Sequence, residues 1–409
     1  MGPITLFDKS FLQSLSLNES VWFDHFFITN VCPIFFIETL ADLSKSFEDD
    51  RSPEDEVRII ADKYPELNSQ PCAHHNDLST SNLLGYEVPI TGQIVMDRSR
   101  LVSIEGIPHA YSEMSPITKA FYRWHDEDFD IIEYLHAIEW RQHLSDVNLS
   151  EMPEYLKAWE SFNKSCDSFL EAYSIAKSFI ESKDAPFLRL EIIFLLLEVP
   201  KSAQPRIRER FAELGYPQLD NFAPYSAYLF SVIIFSILSL QSGLISPYDT
   251  NNLTDIAYLF YLPFSMIFVS KDRFHEKITP YFMRDDQTFV WGEDLKKSLK
   301  DVNLFYSLFS EDEKEKGIYK IAPYPPAHIG SYVAKLWDKY LPNWRKKIIN
   351  KSDHKKKQNA MQKLNRLESA SEFNYEKENF QLRDIQGIGR KIKVRKKKGD
   401  WFQVPKDIE

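Results

Sequence analysis

Residues 3–46 and 250–300 each alternate short apolar runs with segments of helical periodicity, and roughly 200 residues of different character separate them. Such alternation is what strands produce when they cross over through helices into a parallel sheet. Residues 3–8, PITLFD, read as a strand closing on an acid. Residues 19–29, ESVWFDHFFIT, carry aromatics at helical spacing. Residues 31–37, VCPIFFI, form a continuous apolar run of strand length that feeds into a helix start at Glu38. Further on, 253–261 (LTDIAYLFY) predicts a helix, 266–270 (MIFVS) a strand, and 289–300 a short strand and helix. The expected fold is α/β, a parallel sheet flanked by helices. Its core is discontinuous, 1–48 plus 249–310. A mostly α-helical insertion fills 49–248, and 311–409 form a C-terminal extension with a basic, partly mobile tail.

Composition narrows the class. Only 12 glycines occur in 409 residues, too few for a collagen-like chain or a turn-rich β-sandwich. The three cysteines, Cys32, Cys72 and Cys166, are odd in number and far apart, so a disulfide framework is not expected and a reducing, cytoplasmic setting is. The opening MGPITLFDKS lacks a basic stretch followed by an apolar one, so no secretory signal is expected, and Pro3 and Leu6 break the myristoylation pattern. Residues 223–248 carry no charge, but five serines and Gln241 interrupt the run between 226 and 242, and Pro224 and Pro247 bracket it. A buried core helix is expected there, with no membrane partner.

Acids recur where strands end. In a parallel sheet the carboxyl ends of the strands share one edge, and ligands bind in the crevice outside it. Asp8 ends the first predicted strand. Glu38 follows the second, with Asp42 four residues on and on the same helical face. Ser270 ends the third, with Asp272 just beyond, and Asp255 opens the helix before it. Crowded carboxylates raise one another's pKa, and a divalent cation removes that penalty. Oxygen donors of this kind suit Mg2+ or Mn2+, not zinc. One or two such ions would hold a phosphodiester and activate water. Taken singly, each acid has a plainer role: Asp8 as a helix cap, Glu38 as a first-turn acid, Asp255 and Asp272 as surface acids at element ends.

These residues resemble the PIN-like nuclease family. ITLFDKSFLQSLS looks like the family's first strand with its Asp and hydroxyl-rich turn. VCPIFFIETLADL is similar to the segment that presents an acid at a helix start, and LTDIAYLFYLPFSMIFVSKDRFHEK resembles an Asp-led helix, a strand and a Ser/Thr-x-Asp turn. The resemblance implies a metal-dependent ribonuclease or nuclease with Asp8, Glu38, Asp255 and Asp272 as catalytic, metal-holding acids, and with Asp42 as a further metal ligand. It puts Ser270 in the place of the small hydroxyl residue near the metal, where it would meet nucleic acid. Asp249 rivals Asp255 for the third acid. Typical members are far shorter, so the long insertion is a departure, with a partner-binding or access-restricting role expected of it. A toxin-like or antiviral defence role is the broadest expectation, and a degenerate, non-catalytic binding module is the alternative.

Charge points the same way. Residues 345–398 hold 18 Lys/Arg against 6 Asp/Glu, whereas the rest of the chain holds 32 against 54. A basic segment on an acidic body suits a polyanion partner, RNA ahead of DNA. Arg390, Lys391, Lys393, Arg395, Lys396, Lys397 and Lys398 are the expected phosphate contacts, with Trp401 and Phe402 stacking on bases. Cys72, His74 and His75 lack a second ligand pair for zinc. His125, Asp126, Glu127, Asp128 and Asp130 predict a solvated acidic face, and Gly387-Ile-Gly389 is too short for a dinucleotide fingerprint.

Overall fold

A computed structural model describes residues 2–45, 52–97, 99–104, 107–145, 165–246, 250–326, 331–349, 388–390 and 392–407. Seven strands are numbered here along the chain from the N-terminus: β1 (Ile4–Phe7), β2 (Ile28–Val31), β3 (Ser69–Pro71), β4 (Ser99–Ile104), β5 (Ile107–Ser112), β6 (Ile267–Ser270) and β7 (Thr288–Trp291). Five of them form one all-parallel sheet in the order β3-β2-β1-β6-β7, flanked by helices. The α/β expectation holds at that level. β1 lies at the centre, and the chain winds outward from it first through β2 and β3, then through β6 and β7. The reversal between β1 and β6 is the topological switch point of an open parallel sheet.

Two boundaries differ from the sequence reading. The run 31–37 is not a strand: β2 ends at Val31 and a helix spans Pro33–Leu40, with Cys32 at its N-cap. Proline fits the first helical position because its missing N–H is unpaired there anyway. Glu38 therefore sits in the second turn of that helix, not at its start. The edge strand β3 arises at Ser69–Pro71, inside the stretch assigned to the insertion, so the sheet continues past the expected boundary at 48. A three-residue strand ending in proline carries no apolar signature, and an edge position tolerates it.

The described residues between 116 and 246 are chiefly helical. Helix Pro224–Gln241 is long and apolar enough to cross a membrane, yet 67% of it is buried inside the fold. It packs on helices Phe169–Glu181 and His75–Leu83. The hydroxyls of Tyr225 and Tyr228 donate to the carbonyls of Phe260 (3.2 Å) and Leu259 (2.7 Å). Through these bonds the insertion braces the end of helix Thr250–Leu259, which carries Asp255.

The C-terminal segment is folded onto the body. Strands Lys397–Lys398 and Trp401–Phe402 pair antiparallel. Trp401 is buried against Trp22, with ring centroids 4.7 Å apart, and both indole N–H groups donate to Asn303 Oδ1 at 2.8 and 3.0 Å.

Candidate functional site

The carboxyl edge of the sheet gathers the acids that the sequence singled out. Asp8 follows β1 and caps helix Lys9–Ser14, accepting the Phe11 N–H at 2.8 Å. Asp272 follows β6 and caps helix Arg273–Phe282, accepting the Phe274 N–H at 2.5 Å. The capping role and the strand-end placement coexist in both. Glu38 comes from helix Pro33–Leu40, Asp42 from the short 3-10 turn Ala41–Ser44 after it, and Asp255 from the helix before β6. Asp249 lies outside the described residues.

Two buried cations are threaded among these acids. Lys9 Nζ lies 2.7 Å from Asp42 Oδ2 and 3.7 Å from Glu38 Oε1. His275, with no exposed surface, has Nδ1 3.6 Å from Asp8 Oδ2 and Nε2 3.9 Å from Asp255 Oδ1. The hydrogen bonds fix its charge state. Nε2 is 2.8 Å from the Asp255 carbonyl oxygen, an acceptor only, so Nε2 must carry hydrogen. Ser270 Oγ donates to Asp8 Oδ2 at 2.7 Å, and its one hydrogen is then used. Nδ1, 2.8 Å from Ser270 Oγ, then has to donate to that hydroxyl oxygen. The ring is an imidazolium.

The electrostatics follow from this arrangement. Burial disfavours the His275 cation, but the Asp8 contact and the Asp255 charge outweigh it and push its pKa up to about 9. Burial likewise opposes the Asp8 carboxylate. His275 and the hydroxyls of Ser270 and Ser10 more than offset that, and Asp8 titrates below the ordinary aspartate range. Lys9 is buried and still raised, because Glu38 and Asp42 hold its charge. Glu38 is raised by burial, against the pull of Lys9 and of the Tyr258 hydroxyl, which donates to Oε2 at 2.6 Å. Asp255 is pushed up to about 7 by burial, with Asp272, Glu38 and Asp8 adding to the shift against His275. Asp272, Glu38 and Asp8 all act on Asp255, and Asp8 and Asp42 act on Glu38, which marks them as one cluster.

The acids are not equivalent. Asp8 and Asp42 are buried, whereas Glu38, Asp255 and Asp272 keep partial solvent access. Asp42 is closed off further, since Lys45 Nζ pairs with its second oxygen at 2.5 Å. A metal role for Asp42 does not fit this pairing. Asp255 is the opposite case, because no hydrogen bond reaches its carboxyl oxygens among the described residues. Ser270 has no exposed surface and is committed to Asp8, His275 and the Asp272 N–H at 2.9 Å. It positions the acids and cannot touch nucleic acid directly. Among the described residues no three His, Cys, Asp or Glu side chains are disposed to hold a metal directly. Asp255, Asp272 and Glu38 offer oxygen donors of the kind of which Mg2+ takes one or two while keeping its waters.

Lys9 and His275 were absent from the expected site. His275 had a signal: it shares a helical face with Ile278, Thr279 and Phe282, all buried, so a titratable ring occupies a core position five residues after Ser270.

The basic segment divides differently from the expectation. Lys398 is buried, its Nζ donating to the Tyr64 carbonyl at 2.9 Å, and burial lowers its pKa to about 8. Arg395 pairs with the buried Glu66. Both hold the strand down and do not face a ligand, and Trp401 is likewise unable to stack on a base. Lys393, Lys396 and Lys397 are exposed. The side chain of Arg390 and all of Lys391 lie outside the described residues. The solvated-face reading of His125 also needs amending, since its Nδ1 meets Asp62 Oδ1 at 2.5 Å.

Comparison with known protein families, with curated proteins and with solved structures finds no match to this chain.

Proposed function

We propose that the carboxyl edge of the sheet is a PIN-like, metal-dependent nuclease site that hydrolyses phosphodiester bonds, RNA ahead of DNA. The observation that carries this reading is the convergence of Asp8, Glu38, Asp255 and Asp272 at the β1/β6 switch point, with three of the four reaching solvent. Asp255, Asp272 and Glu38 would hold Mg2+ or Mn2+, which when bound supplies charge for the phosphate and an acidified water. Asp8 has a different task. With Ser270 it fixes His275, and the imidazolium keeps Asp8 ionised next to the ion-holding acids. Lys9 does the same for Asp42 and restrains Glu38. The surrounding aromatic core, with Phe7 against Phe23 at 5.5 Å and Phe35 at 5.0 Å, holds the sheet edge rigid.

The test is cleavage of a fluorescently labelled RNA in Mg2+ or Mn2+ and in EDTA. Asp255→Asn and Asp272→Asn are expected to lower the rate by about 100-fold or more while the fold is kept. No metal-dependent cleavage by the wild-type chain, on RNA or DNA, rejects the reading.

One observation favours a second reading, a nucleic-acid-binding module with a degenerate site. Lys9 and His275 already neutralise part of the acid cluster without a metal. Binding unchanged by EDTA, together with no cleavage, would select it.

A further inference from the structure

Between residues 126 and 140 the chain carries six acids and no lysine or arginine, interleaved with aliphatic residues. This stretch folds as an acidic turn followed by helix Ile131–Ser145. The inner face of the helix is fastened to the body. Glu133 accepts the Trp124 indole N–H and the Asp130 N–H, both at 2.9 Å, and pairs with Arg123. The Tyr134 hydroxyl donates to Glu54 Oε1 at 2.6 Å. Ala137 is buried, and the helix packs on the turn Ala41–Ser44 and on helix Pro33–Leu40.

The outer face is apolar and open. Ile131, Ile132, Leu135 and Ile138 are 69, 55, 58 and 47% exposed, and the first, third and fourth recur at the i, i+4, i+7 spacing of one helical face. A single exposed aliphatic residue is ordinary, but four side by side mark an interaction surface. Beside them Phe36, Ile37, Leu40 and Trp140 line a cavity of about 350 Å³, with His136 and Glu139 also in its wall. Charge decides what fits there. Asp128, Asp130 and Glu139 are exposed and have no ion pair among the described residues. A helix that lies on a membrane carries lysine and arginine beside its apolar face, the reverse of this arrangement. A second copy of the chain would bring the same acids to the interface, like charge against like. A helix with an apolar stripe flanked by lysines or arginines complements both the aliphatic face and its acidic border.

We propose that this surface docks a basic amphipathic helix of a partner protein. The apolar stripe of that helix covers Ile131, Leu135 and Ile138, one large apolar side chain enters the cavity beside Trp140, and its cations meet Asp128, Asp130 and Glu139. The partner then lies behind the elements that carry Glu38 and Asp42, on which helix Ile131–Ser145 packs. The proposal goes beyond the nuclease reading and does not depend on it.

The experiment uses the full chain and two fluorescein-labelled helical peptides, one of leucine and lysine with the leucines on one face, the other with glutamate in place of every lysine. Anisotropy at about 0.15 M salt reads the affinity of each. The lysine peptide is expected to bind about tenfold more tightly than the glutamate peptide or better, and the double variant Leu135→Ser, Ile138→Ser to lower its affinity about tenfold. The double variant Asp128→Lys, Asp130→Lys should shift the preference toward the glutamate peptide. All four positions are exposed, and unchanged melting curves verify that both variants fold. Equal binding of the two peptides, or an affinity unmoved by Leu135→Ser, Ile138→Ser, would overturn the proposal. So would tighter binding to phosphatidylserine vesicles than to the lysine peptide. A wild-type dimer seen by light scattering and lost in Leu135→Ser, Ile138→Ser would give the face to a second copy and overturn it as well.

Discussion

Two buried clusters of acids and cations stand in this molecule, and they are built to different ends. In the first, Asp24 accepts three backbone N–H groups, from Glu66 and Leu67 at 2.7 Å and from Asn68 at 2.8 Å. Glu66 takes the Arg395 guanidinium and the amides of Arg395 and Gln403. Both carboxylates there have donors, and what they secure is the segment around Arg395 and Gln403. In the second, around Asp8 and His275, the inner acids are equally well supplied, but Asp255 receives no hydrogen bond among the described residues and titrates near 7 because of burial and its neighbours. Burial raises Asp24 as well, to about 6, so a raised pKa does not separate the two clusters. What separates them is that Asp255 lacks a hydrogen-bond donor among the described residues and keeps partial solvent access, as the proposed site requires.

The contrast can be broken most forcefully at Asp24. Asp24→Leu orphans three buried N–H groups and the charge of Lys398, and should lower unfolding free energy in urea by about 3–5 kcal/mol. A loss under about 1 kcal/mol would remove the cohesive role assigned to this cluster.

Next comes His275. Its pKa is raised from 6.5 to about 9 in the folded state, so the stability it lends is complete below pH 6.5 and disappears as pH rises through 9. Urea midpoints should fall across that window, and His275→Gln should flatten the fall; about 3 kcal/mol is at stake. A wild-type profile that is level from pH 6.5 to 9 contradicts the imidazolium.

Asp255 sharpens the comparison at lower cost. Its pKa is also raised, from 3.8 to about 7, so its favourable contribution is present below pH 3.8 and lost as pH passes through 7. Asp255→Asn should therefore be more stable than wild type at pH 8, by about 1–3 kcal/mol, while losing cleavage. Added Mg2+ or Mn2+ should raise the wild-type melting temperature at pH 8 and leave that of Asp255→Asn nearly unmoved. Equal shifts in both proteins would place the ion elsewhere.

The smallest effect belongs to the exposed lysines of the segment 392–407. Changing Lys393, Lys396 and Lys397 together to Ala should reduce the slope of log K against log salt by about 2–3 and leave the melting curve unchanged. A destabilised protein would mean that these three share the structural role of Lys398.

Much of the frame was legible in the chain itself. Asp8 and Asp272 stand where apolar runs of clear β character stop, and the uncharged stretch around Pro224–Gln241 is the buried helix its serines and prolines suggested. What escaped was set by tertiary context. β3 has only Ser69, Gln70 and Pro71 to announce it, and an edge strand is specified by its neighbour more than by its own residues. The run 31–37 looked like a strand because periodicity cannot separate a short buried helix from a short buried strand, although Pro33 marked the helix start. Lys9 and His275 were hidden for another reason. A cation inside a cluster of acids is invisible until the fold shows which acids are near it. The tail misled because charge density alone does not tell a solvated lysine from Lys398, whose ammonium lies under Tyr64.

The central strand has a consequence for how this molecule is made. Thr5 pairs on one side with Thr29 and on the other with Ile267, so one flank of β1 finds its mate almost at once and the other only after some 260 further residues have left the ribosome. Throughout that interval a nascent chain displays the bare rim of a sticky apolar ribbon, and it depends on chaperones or on the intervening helices to shield it. The same delay keeps Asp8 and Glu38 apart from Asp255 and Asp272 until the segment that holds β6 has emerged.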